Sequence, residues 1–160
     1  MRQSDPTRDL IIAASALGGL LAGANADRFI VGRHAWRRVG VQSWAAYSRE
    51  ADLSITGAVF YPALAIGGAA CSVLAAVRFR SKRRAPRRAA LPLSLAALLT
   101  LGGLLVTTKA APFMLSLRKL GDDRAALRNA FNGFYGWSTL RAACQIAAFG
   151  ANLWSLAALS

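Results

Sequence analysis

Histidine is nearly missing from this chain: His34 is the only one in 160 residues. A single imidazole excludes the multi-histidine di-iron and haem sites common in membrane oxygenases. Cysteine is almost as scarce, with Cys71 and Cys144 alone. They form no CxxC pair, so a thiolate metal site has no basis in the sequence. On two parallel spans they would differ in depth by ~10 Å at ~1.5 Å per residue, which is too far for a disulfide. Both are expected to be small packing residues. Acids are few as well, seven against 20 Lys and Arg, for a net charge of +13. There is no HExxH, no phosphate loop and no Ser-His-Asp order. No alternation of apolar and polar residues suggests a strand.

What is present is apolar: 55% of the residues are hydrophobic. A basic nucleic-acid binder spreads its charge over a polar surface. Here the charge is excluded from four apolar blocks, about 10–30, 53–77, 89–108 and 134–159. Each approaches the ~20 residues that cross a ~30 Å hydrocarbon layer as a helix. The expected fold is therefore all-α, an integral membrane four-helix bundle forming a single domain over 1–160. Its first partner is the lipid bilayer, and no nucleic acid is expected. The segment Ala24-Asn25-Ala26 has the form of a signal-peptidase site. Asp5 and Asp9 offset Arg2 and Arg8 ahead of the first block, so an uncleaved span is expected. Gly19 and Gly23, with Ser15, Ala22 and Ala26, form a small-residue stripe suited to close helix packing. Pro62 is expected to bend the second span.

The connection Arg78–Arg88 carries seven Lys and Arg and no acid. By the positive-inside rule it belongs in the cytoplasm. Both termini are then cytoplasmic, in a bacterial inner membrane, and 31–52 and 109–133 are outer loops. The aromatics Trp36, Trp44 and Tyr47 in the first loop suit a headgroup-level segment.

Polar residues inside the fourth span draw attention. On a helical wheel Trp137, Arg141, Cys144, Gln145 and Asn152 share one side, with Ser138 at its border. A guanidinium at bilayer depth costs ~3 kcal/mol even on a lenient scale, so this stripe is expected to face protein or a cavity. Arg141 either pairs with a carboxylate or carbonyls and fixes helix register, or anchors an anionic or phenolic ligand. Asn25, Asp27, Tyr61 and Lys109 lie toward the same outer end. Asp27 is expected to pair with Arg28, Arg33 or Arg141, or to line the cavity. His34 is a candidate general base because its unperturbed pKa is near neutrality.

The segment APFMLSLRKLGDDRAALRNAFNGFYGWSTLRAA, 111–143, resembles the second half of the anthrone-oxygenase-like family of small four-span membrane proteins. The resemblance rests on Pro112-Phe113, Asp123-Arg124, and Trp137 followed by Arg141. Ser138 stands where that family usually has asparagine. QSWAAYSREAD, with Trp44 and Tyr47, is similar to the stretch before the family's second span. The resemblance implies oxygenation of an anthrone, a lipophilic phenolic tricycle, to its anthraquinone without metal or other cofactor. Arg141, His34 and Asp27 would then be catalytic. Asn25, Trp44, Tyr47, Tyr61, Lys109, Trp137, Ser138 and Gln145 would bind substrate. The competing expectation is a non-catalytic membrane component: an accessory subunit, a homo-oligomer, a small-molecule binder or part of a transporter.

Overall fold

The computed structural model describes residues 5–81 and 87–159, and residues 82–86 of the basic connection lie outside them. Helix α1 covers Pro6–Asp27, a π-helical turn Arg28–Gly32 follows, and α2 covers Arg33–Val39. The three form one rod. Then come α3 (Val41–Ala51), α4 (Ile55–Arg80), a 3₁₀ turn Arg87–Ala89, α5 (Ala90–Ser116) and α6 (Arg124–Leu159). No strand occurs among the described residues. The rod Pro6–Val39, α4, α5 with its 3₁₀ turn, and α6 are each long and apolar enough to cross a membrane.

Local chemistry sets the helix starts. Asp5 Oδ1 accepts the Thr7 amide at 3.0 Å, with Pro6 at the first position. Ser54 Oγ accepts the Gly57 amide at 3.1 Å to open α4. Asp123 Oδ1 accepts the amides of Ala125 and Ala126 at 2.9 and 3.1 Å to open α6. Each satisfies N–H groups that a helix start leaves without partners. Gly121, at φ +53°, makes the turn before α6. α4 runs through Pro62 as one helix.

The helices overrun the apolar blocks. The supposed outer loop 31–52 is helical: α2 and α3 fold as a cap. Their apolar residues recur at helical spacing, with Val41, Ala45 and Ser48 buried on one face of α3. Trp36 is buried too. It stacks on Tyr135 with centroids 6.0 Å apart, and Phe131 lies 5.7 Å away. Gln42 Nε2 donates to Asp122 O at 3.0 Å, and Arg49 Nε donates to Leu117 O at 2.9 Å. These bonds tie α3 to the turn between α5 and α6.

Two apolar cores result. One lies at the cap end and includes Trp36, Met114, Leu127, Phe131 and Phe134. The other lies at the basic end and includes Ile11, Phe79, Leu93 and Ala158. Between them the helices are joined by polar pairs. Asn25 Nδ2 donates to Gln145 Oε1 at 2.6 Å, linking α1 to α6. Asn152 Nδ2 donates to Ser72 Oγ at 3.2 Å, linking α6 to α4. Of the small-residue stripe on α1, Gly19 meets the Phe149 ring, whereas Gly23 has open space beside it. Both cysteines are free.

Candidate functional site

The cap end holds a cavity of about 360 Å³ between α1, α4, α5 and α6. This is at the low end of the ~300–1,000 Å³ typical of small-molecule clefts. Its walls are mostly apolar: Leu21, Ala65, Ile66, Leu104, Met114 and Phe134 among others. A few polar groups converge on it, Asn25, Arg28, Asp52, Tyr61, Thr107, Arg141 and Gln145. A second chamber of about 420 Å³ lies under the cap and includes Asp27, Trp44, Tyr47 and Tyr135. The chambers share Ala24, Arg28, Asp52, Tyr61, Met114 and Phe134.

Arg28 and Asp52 form an ion pair on that shared wall. The Arg28 guanidinium also lies over the Tyr61 ring, 4.9 Å from its centroid. Arg28 is the first residue of the π turn, and Asp52 is the C-cap of α3. The cap thus delivers a carboxylate to the mouth of the inner chamber.

Arg141 is different. Its guanidinium lies over Phe134, 5.6 Å from the centroid. Its buried Nε has no hydrogen-bond partner among the described residues. Neither ion pair found among the described residues includes it. Asn25 bonds Leu21 O and Gln145 rather than Arg141. A cation in this state leaves donor capacity aimed at whatever enters the chamber.

Asn25, Tyr61, Arg141 and Gln145 therefore meet in the inner chamber. Asp27, Trp44 and Tyr47 line the outer one. Ser138 lines a small side pocket with Asn25 and Arg141, and its hydroxyl is buried without a partner. Three expected site residues lie elsewhere. His34 is exposed, with Nδ1 3.0 Å from Ile30 O, because the π turn carries it past the chambers. Lys109 is exposed on α5 and lines neither chamber. Trp137 is 42% exposed and turns away from both. Phe134, seven residues before Arg141, takes the wall position expected of it, since two helical turns bring that residue onto the Arg141 face.

Arg28 and Asp52 are the site residues that the sequence left unassigned. Their signal was a carboxylate at the end of an amphipathic segment, which acquires meaning only once that segment is folded over the bundle. No group of three or more His, Cys, Asp or Glu that could hold a metal occurs among the described residues. The motif residues outside the chambers have structural work. Phe113 packs against Gly133, where a Cβ would collide with its ring, and Asp123 caps α6. The chain matches no family model, no curated protein and no solved structure.

Proposed function

We propose that the inner chamber binds a flat, lipophilic acid, such as a phenol or enol, with its oxyanion on Arg141. The carrying observation is the buried Arg141 Nε without an acceptor on a mostly apolar wall. An anionic oxygen would satisfy it, and Phe134 beside it offers a ring face. Asn25 and Gln145 hold each other and shape the floor.

The sequence resemblance supports a specific reaction on such a ligand, the cofactor-independent oxygenation of an anthrone. The activated CH₂ loses a proton to a carboxylate. Asp52 is the base in this reading, since it borders both chambers. Asp27 borders only the outer one, and His34 borders neither. The resulting delocalised anion passes one electron to O₂, and the two radicals combine as a hydroperoxide. Loss of water then leaves the quinone carbonyl, so one anthrone and one O₂ give one anthraquinone and one water. Arg141 stabilises the oxyanion throughout. The arginine-rich connection supports cytoplasmic termini, with both chambers toward the outer face of a bacterial inner membrane.

The test is an oxygen electrode with purified protein, a hydroxylated anthrone and a metal chelator. Uptake of one O₂ per anthrone above the autoxidation rate is expected, with full activity under chelation. Binding without turnover would leave a lipophilic-acid binder, as in an accessory or transport component. Neither binding nor turnover would refute the site.

A further inference from the structure

The residues that α1 and α6 give the inner chamber are buried or half-buried, whereas α4 and α5 also give it exposed ones. At the basic end these two helices are tied by Arg80 Nη2, which donates to Ser94 Oγ at 3.2 Å. Toward the cap, a single stripe of α4 forms the chamber's edge. Ala58, Pro62 and Ile66 recur at every fourth position, line the chamber and are exposed on their other side. Ile66 is 59% exposed. Across the seam, Leu104 and Leu115 of α5 complete the edge. The exposed residues of the rim on its α4–α5 side are therefore apolar, with Tyr61 and Thr107 half-buried behind them.

Its depth decides what it faces. Arg78 and Arg80 mark the basic end of α4. Ile66 lies roughly 18 Å along the axis from Arg78 at ~1.5 Å per residue, well within a ~30 Å hydrocarbon layer. We infer that the seam between α4 and α5 is a lateral portal through which the ligand enters the inner chamber directly from the bilayer. The inference rests on the binding reading above and fixes its substrate class. The ligand is an acid weak enough to dissolve in the hydrocarbon as its neutral form, and it is ionised only on reaching Arg141. Permanently charged aromatics of the same shape are excluded from this route, because the lining residues exposed along it, Ala58, Pro62, Ile66 and Leu115, are all apolar.

The experiment uses the full chain in lipid nanodiscs with two probes. One is 1,8-dihydroxyanthraquinone, which does not oxidise further. The other is a sulfonated counterpart that cannot enter the hydrocarbon. Ala58→Trp and Ile66→Trp put an indole at the seam on lipid-exposed positions. Both variants are expected to slow association and dissociation of the neutral probe in parallel, each by about tenfold, as a narrowed path does; a change confined to one of the two rates would report an altered chamber wall and overturn the portal. Leu98→Trp, at a lipid-exposed position of α5 away from both chambers, is expected to leave the rates unchanged. The sulfonated probe is expected to bind far more slowly than the neutral one. Unaltered rates in both seam variants, or equal association of the two probes, would overturn the portal and assign entry to the outer chamber. A Kd for the neutral probe that is unmoved by Arg141→Met would instead overturn the site, and the portal with it.

Discussion

Replacing Arg141 with methionine should stabilise the empty protein and abolish ligand binding at once. A buried arginine at bilayer depth costs ~2.5–3.5 kcal/mol on the insertion scale. In this protein only a ring contact offsets that cost. The Nε has no acceptor, and the contact with Phe134 returns about 2 kcal/mol for a desolvated guanidinium. Methionine fills similar space without a charge to desolvate. The net gain is then about 0.5–1.5 kcal/mol, or roughly 1–6 °C in Tm for a chain of this size. The assay is thermal unfolding in detergent, with and without a saturating hydroxyanthraquinone. Wild type should show a ligand-dependent rise in Tm by mass action. Arg141→Met should start higher and show no rise. A lower Tm in the ligand-free variant would mean that the guanidinium is a structural partner, and the reasoning would fail. Arg141→Lys should retain the charge cost and lose most of the ligand shift, because an ammonium cannot reproduce the planar fork.

Asp52→Asn should reduce turnover to the autoxidation rate. It should also cost about 1.5–3 kcal/mol in unfolding experiments, the usual worth of a hydrogen bond to a charged group, because Arg28 loses its ion-pair partner; unchanged turnover would remove Asp52 as the base. Gly133→Ala should cost about 1–3 kcal/mol by overpacking against Phe113, and Phe113→Ala in the same chain should recover much of it; additive losses would show that the two do not share one space.

The transmembrane helices were legible in the sequence because hydropathy reports burial in lipid directly. The cap was not. Hydropathy reads α2 and α3 as loop, since their polar and basic faces lower the average, although Val41, Ala45 and Ser48 carry a helical repeat. Arg141, Gln145 and Asn25 were also legible, because a polar group in a span must find protein or a cavity. Trp137 shows the limit of a helical wheel. It lies near the edge of the polar stripe, and the packing of Phe134 and Tyr135 against the cap sets the rotation that turns it outward. Asp52 could not be placed from its neighbours in sequence. Its role depends on α3 folding across the bundle so that its C-cap meets Arg28, 24 residues earlier in the chain.

The bond between Asn25 and Gln145 also sets an order of assembly. Its partners are 120 residues apart, one on α1 and one on α6. At ~5–20 residues per second of synthesis, Asn25 is made roughly 6–24 s before its acceptor. Within its own helix, the Leu21 carbonyl already accepts from its amide. The polar tie between α1 and α6 at the floor of the site therefore forms only after the four other helices have been made.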